Sequence, residues 1–402
     1  MEVHVQPPIL SEASLANDKA APSSSSSITT SSNGVTITPI PASQIDKTFS
    51  SSTVLTTTVL GASIVSCSDE YFASASNLLT PTPPVRKPGY FVHTGAWYDG
   101  WETRRHNPKE FDWVVIKLGC VGRIEAVEID TAYFNGNEAP FAGLDGYYLP
   151  EDEQQNSGID KESFPHWEEI LPPSKCGPSQ RQAWKVSGPG ISGKEFNYLR
   201  LKQYPDGGIA RLRVYGQVAP PPLPAAVLSG ETERPLEDLA YALNGGVAIE
   251  CSDQHFGGKS YLLLPGRGKD MGDGWETARS REKGHVDWVI VRLGLKGRKV
   301  EKVVVDTKDF RGNFPKAVQV EGWSVEKAKA ALGTEPDPKV DDEGWVPLVK
   351  GEMPCQADTE HVFEGEDLVN QDPPEGRVWT HAKMTIIPDG GVKRLRIFGR
   401  RA

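Results

Sequence analysis

Two short stretches concentrate groups able to move protons and hold anions. Asp99-Gly100-Trp101-Glu102-Thr103-Arg104-Arg105-His106 puts a carboxylate, two guanidiniums and an imidazole close together, and Asp273-Gly274-Trp275-Glu276-Thr277-Ala278-Arg279-Ser280-Arg281 repeats much of it 174 residues later. A Glu can serve as general acid or base, an Arg grips a carboxylate with two parallel N–H groups, and a His titrates near neutrality. The candidates for proton transfer are therefore Glu102, His106, Glu276 and His285, and those for anion binding are Arg104, Arg105, Arg279 and Arg281. A solvated, salt-bridged loop is the competing reading. Against it stands the fact that a chain of formal net charge −10 gathers cations here twice, beside acids and imidazoles.

A second set is Asp69 with Glu70, and Asp253 with His255. Side chains two apart on a strand face the same way, so these could bind a divalent metal ion, yet neither copy has a complete ligand set nearby. The cofactor question stays open at this point. Asp130-Thr131 and Asp306-Thr307 end strand-like runs, where a carboxylate either caps a turn or meets a substrate. Trp101, Trp275, Trp113 and Trp288 read as core, and Gly100 and Gly136 as backbone-geometry residues. No G-x-S-x-G elbow, P-loop or H-E-x-x-H occurs, so lipase-like, nucleotide and zincin chemistries lack their defining residues.

The elements that must position these groups are themselves written twice. Cys67-Ser68-Asp69-Glu70-Tyr71-Phe72 returns as Cys251-Ser252-Asp253-Gln254-His255-Phe256, and Asp112 to Gly119 returns as Asp287 to Gly294. Phe134-Asn135-Gly136-Asn137 returns as Phe310-Arg311-Gly312-Asn313, and Pro205-Asp206-Gly207-Gly208 before Arg211-Leu212-Arg213 returns as Pro388-Asp389-Gly390-Gly391 before Arg394-Leu395-Arg396. One long internal duplication, with insertions only in loops, accounts for all of these. Leu199, Leu201, Leu212 and Val214 alternate with Arg200, Lys202, Arg211 and Arg213, the period of strands with one buried face. Helix signals are sparse, the best being Pro235 to Leu243 and Val325 to Leu332. The expectation is all-β: two tandem antiparallel sandwiches or jelly rolls, 46–217 and 233–402, joined by a Pro-rich linker at 218–232.

Bulk properties narrow the function. The 402 residues suffice for two domains with real cores. The acidic balance leaves no general electrostatic case for nucleic acid, and the absence of a run of about eighteen apolar residues removes a membrane-spanning helix. Five cysteines without C-x-x-C spacing read as reduced thiols, neither a disulfide framework nor a zinc site. Residues 1–45, rich in Ser and Thr, read as a flexible tail. A transit peptide competes, but the tail has no Arg and carries Glu2, Glu12 and Asp18.

Taken together, the Asp99 to Arg105 motif, the Cys-Ser-Asp blocks, the Asp-Thr pairs followed by Phe-x-Gly-Asn and the Pro-Asp-Gly-Gly turns resemble the allantoicase family over about residues 60 to 402. The resemblance implies two jelly-roll domains of the galactose-binding-like type. It also implies a hydrolase that splits allantoate with water into ureidoglycolate and urea; the reduced thiols read as cytoplasmic, and a homo-oligomer is expected. Such a substrate asks for a cation at its carboxylate, met by the Arg candidates, and for proton transfer to the departing nitrogen, met by the Glu and His candidates. Asn137 and Asn313 would serve the ureido groups, because an amide both donates and accepts. The alternative is a tandem binding module without catalysis, which this kind of fold often hosts.

Overall fold

The computed structural model describes residues 28–402 apart from Ser32 and Thr334. Each repeat is a β-sandwich built around one exceptionally long strand, Asp112–Asp130 in the first and Asp287–Asp306 in the second. The first half of Asp112–Asp130 pairs with Ser63–Cys67 on one side and Phe196–Tyr204 on the other; Phe141–Tyr147 and Glu168–Lys175 complete that layer. Its second half pairs with Arg181–Ser187 and Arg211–Val218, which form the opposing layer. One strand thus crosses from sheet to sheet.

The second repeat follows the same plan. Asp287–Asp306 pairs early with Val247–Cys251 and Arg377–Ile387, and late with Glu360–Glu364 and Arg394–Arg401. All these pairings are antiparallel, as expected for strands joined by loops without crossover helices. Between the layers lie separate apolar cores. Trp101, Val114, Ile116, Val127, Leu144, Leu199 and Leu212 belong to the first, and Trp275, Val289, Val303, Val320, Trp379 and Leu395 to the second. The alternating pattern read from the sequence is the inward face of these strands.

Several expectations need correction. The tail does not extend to residue 45: Thr36–Ile40 pairs with Arg181–Ser187, and Val35, Ile37 and Ile45 are buried, so apolar residues among the threonines anchor this segment to the sheet. The serine run at residues 23–27 lies outside the described residues. Pro235 to Leu243 is not a helix. Glu237–Asp238 is a short strand paired with Arg394–Arg401, because the sheet edge offers backbone partners that an isolated turn of helix lacks. Lys327–Leu332 is helical as expected. In the linker, the prolines give way to one helical turn at Ala225–Leu228.

The acidic insertion near Glu151 to Lys161 has a structural role. It covers the outer face of the first sheet, where Trp113, Val115, Leu149, Ile159, Phe164 and Tyr198 form a small satellite core.

Candidate active site

In both repeats the duplicated motif is a two-residue strand held between two loops. Trp101–Glu102 pairs with Gly208–Ile209, and on its other edge Glu102 bridges to Ala73. Trp275–Glu276 pairs with Gly391–Val392, and Glu276 bridges to Gly257. The Asp-Gly-Trp half is scaffold. Asp99 pairs with the buried Arg211 at 2.7 Å, and a Cβ on Gly100 would stand 2.6 Å from the Ile209 carbonyl oxygen. Trp101 and Trp275 are fully buried and donate Nε1–H to the backbone oxygens of Asp69 and Asp253, both at 2.8 Å.

The turn glycines belong to the same scaffold. A Cβ at Gly208 would lie 2.1 Å from the ring of Phe134, and at Gly391 2.0 Å from the ring of Phe310. Phe134 and Phe310 therefore bring the Phe-x-Gly-Asn loops hard against the Gly-Gly turns, which sets Asn137 and Asn313 opposite the two glutamates.

Four side chains converge in each copy. Asn137 Nδ2 donates to Glu102 Oε1 at 2.8 Å, and Asn313 Nδ2 donates to Glu276 Oε1 at 2.5 Å. Arg105 donates through Nη2 to the Gly136 carbonyl at 2.8 Å and through Nη1 to Asp206 at 3.4 Å. Arg279 makes the same pair of bonds, to the Gly312 carbonyl and to Asp389, each at 2.8 Å. Asp206 and Asp389 are buried and also accept from the backbone N–H of Asn107 and Ser280. Sequence reading saw these two aspartates only as turn residues. Their signal was the duplication itself, since a turn needs Pro and Gly but not the same Asp twice.

The two glutamates differ in burial. Glu102 is buried, and loss of hydration pushes its carboxyl above the ordinary range, although the Asn137 hydrogen bond and the Arg105 charge pull the other way. Glu276 is only half-buried. Glu102 Oε2 accepts no hydrogen bond among the described residues, so one carboxylate oxygen is fixed and the other is free.

The remaining candidates are placed differently from expectation. Arg104 is exposed; its guanidinium pairs with Asp69 at 2.8 Å and lies 5.3 Å from the Tyr71 ring centre. Ala278, its counterpart, has only a backbone N–H to offer Asp253, at 2.7 Å. The carboxylates of Asp69 and Asp253 are thus engaged as acceptors that hold the motif loops, and His255 stacks edgewise on Phe256. Among the described residues no three His, Cys, Asp or Glu side chains come together as a metal site. His106 is exposed with φ of 65° and makes no hydrogen bond to Glu102. His285 donates through Nε2 to the Asp287 carboxylate at 3.2 Å, and Arg281 is exposed outside the four-residue cluster. Asp130 and Asp306 act as caps, accepting from the N–H of Ala132 and Lys308 at 2.8 and 2.9 Å.

Comparison with known proteins agrees with this duplicated arrangement. The family model described as the allantoicase repeat matches residues 53–219 and again 237–402. The allantoicase of Neurospora crassa is 52% identical over 372 residues, covering 92% of this chain and 97% of that protein. The allantoicase of Saccharomyces cerevisiae is 50% identical over 341 residues, covering 85% and 91%. A crystal structure of the Saccharomyces cerevisiae allantoicase superposes with a TM-score of 0.73 at 43% identity, spanning 90% of this chain and 99% of that one. With the family model matched twice and relatives of this identity aligned along nearly their whole length, the chain belongs to the allantoicase family.

Proposed function

We propose that the paired Glu-Asn-Arg-Asp clusters are where this chain, an allantoicase, binds and hydrolyses allantoate. The reaction breaks the bond between the central carbon and one ureido nitrogen, water supplies the hydroxyl of ureidoglycolate, and the departing nitrogen takes up a proton to leave as urea. The observation that carries the assignment is the Arg beside the half-free carboxylate. Arg105 spends one N–H on Asp206 and one on the Gly136 carbonyl, which leaves donors for a carboxylate in a fixed orientation.

Glu102 supplies the proton chemistry in this reading. Its fixed oxygen is set by Asn137, its free oxygen faces the space where water or a ureido N–H would sit, and its raised affinity for a proton suits both taking and returning one. The Asn137 and Asn313 amides orient a ureido group. Because Glu102 is the more buried glutamate, the first repeat is the one that turns over substrate, and the second contributes a binding site built on the same four residues. His106, exposed, and His285, paired with Asp287, stand outside the clusters.

We assign the repeats to residues 46–217 and 233–402, with 218–232 as the connection, and the protein to the cytoplasm, in keeping with five unpaired thiols. Exposed Tyr90 and Phe91 on the hairpin Phe91–Ala96 support self-association into a homo-oligomer, testable by sedimentation velocity. The decisive assay is urea release from allantoate by the purified chain. A folded protein that binds allantoate without releasing urea, in metal-supplemented as well as metal-free buffer, would favour the non-catalytic binding module.

A further inference from the structure

A cavity of about 340 Å³ lies at the junction of the two repeats, away from both Glu-Asn-Arg-Asp clusters. Its wall is largely apolar, with Val54 and Leu60 from the first repeat facing Tyr261 and Leu264 from the second. Two cationic side chains, Arg213 and Lys259, complete it, and no Asp or Glu is among its lining residues. That combination, an apolar chamber of ligand size with a few convergent polar groups, is the usual form of a small-molecule site.

Comparing the repeats shows that neither cation forms a salt bridge among the described residues: Glu128 stands opposite Arg213 in the strand register and attracts it, but is taken up by Arg181 and the Tyr215 hydroxyl. Arg213 corresponds to Arg396, which faces the carboxylate of Asp238 at 3.6 Å and donates to the Leu263 carbonyl at 3.0 Å. The strand register puts Val54 opposite Tyr215 as it puts Asp238 opposite Phe398, so the first repeat has a valine where the second has the carboxylate. Arg213 is left with two carbonyl contacts at 3.2 Å through Nη2, to Pro81 and Thr82, while its buried Nη1 has no hydrogen-bond partner. Burial, with Arg211 adding repulsion, pulls this guanidinium below its ordinary value. Lys259 occupies the position held by the buried Ala75 in the first repeat. It is 8% exposed, and its ammonium reaches across the junction to the Ser50 carbonyl at 3.1 Å, one acceptor for three N–H donors.

We infer that this junction cavity binds a small organic anion with an apolar body, a monocarboxylate whose charged end meets Arg213 and Lys259. A ligand carboxylate in the cavity stands in for the charge that Asp238 supplies to Arg396 and that Val54 does not supply to Arg213. Allantoate, polar throughout, does not suit the apolar wall. The turn carrying Gln254 and Lys259 also carries Asp253, which holds the Ala278 N–H, and Gly257, which bridges Glu276, so the cavity and the second cluster share one turn without sharing a lining residue.

The test is calorimetric titration of the full chain with benzoate and cyclohexanecarboxylate, with benzamide as the neutral analogue of benzoate. Saturable binding of both carboxylates at one site per chain is expected, with no binding of benzamide. Lys259→Met, which removes a charge, and Val54→Asp, which gives Arg213 an internal partner, should each weaken benzoate by at least about tenfold, the loss of one charge-assisted hydrogen bond. Absence of saturable carboxylate binding to the parent chain overturns the inference. So does binding that both variants leave unchanged, or binding that Arg105→Ala abolishes, which would place the carboxylate in the allantoate cluster instead.

Discussion

The two repeats share a cluster and differ around it. Glu102, Asn137, Arg105 and Asp206 make the same contacts as Glu276, Asn313, Arg279 and Asp389, with the Arg–Asp pair looser in the first repeat, 3.4 Å against 2.8 Å. Arg104, His106 and Tyr71, which gave the motif its chemically rich look, have Ala278, Ser280 and His255 as counterparts. What persists through a duplication at such spacing is the part that must keep its geometry. The exposed residues at the rim are where the copies have parted, so they are the less essential members of the site or the ones that make the copies unequal.

The largest effect expected concerns the glutamates. Glu102→Gln should lower kcat by about 10²- to 10⁴-fold, the ordinary contribution of a general base, with Glu276→Gln affecting turnover far less. Urea release by the two variants settles the order, and the reverse ranking moves catalysis to the second repeat. Next comes Asp206→Asn, which leaves Arg105 in place but loosens it. KM for allantoate should rise several-fold more than kcat falls, and an equal fall in kcat and kcat/KM would mean that Arg105 acts in the transition state alone.

A smaller effect follows from placement of the Phe134 loop. Gly208→Ala sets a Cβ into the Phe134 ring, and overpacking of this kind costs about 1–3 kcal/mol, measurable by urea denaturation. Gly391→Ala should cost a similar amount through Phe310, and unequal costs would show that the two Asn loops are not equally constrained.

A gentler effect concerns the pH behaviour of the first copy. The folded Glu102 carboxyl binds its proton more tightly than an unfolded one, so the stability it contributes is complete below the ordinary carboxylate range and is lost as pH rises through its raised folded value. Glu102→Gln should therefore match the parent in acid and exceed it in stability near neutrality; denaturation at several pH values reads this directly. The weakest effect is expected for Arg104→Ala. Its side chain is 68% exposed and its Asp69 pair is of surface type, so the denaturation midpoint should barely move, and the variant reproduces what the second repeat already has at Ala278.

Much of the fold was legible because both signals were periodic. Two-residue alternation marked the strands, and the five paired motifs marked the repeat. Less legible was whatever depended on tertiary closure. Asp206 and Asp389 looked like turn residues because a carboxylate's partner 101 or 110 positions away leaves no local trace. His106 looked catalytic because it follows Arg105, yet it is exposed on a left-handed turn and makes no hydrogen bond to Glu102. Thr36–Ile40 was hidden in Ser- and Thr-rich text, since threonine serves a strand as readily as a tail and only the pairing with Arg181–Ser187 decides. The Glu-Asn pairs were within reach, because the Asn of Phe-x-Gly-Asn recurs with the Glu of the motif, and in both repeats the amide holds that Glu.

The strand Asp112–Asp130 hydrogen-bonds into both layers of its sandwich. A chain that serves two sheets at once ties their fates: neither layer can open without stripping partners from the same nineteen residues. Amide exchange should therefore report the two sheets of a repeat releasing their protons together, as one cooperative unit, rather than as an outer leaf peeling from an inner one.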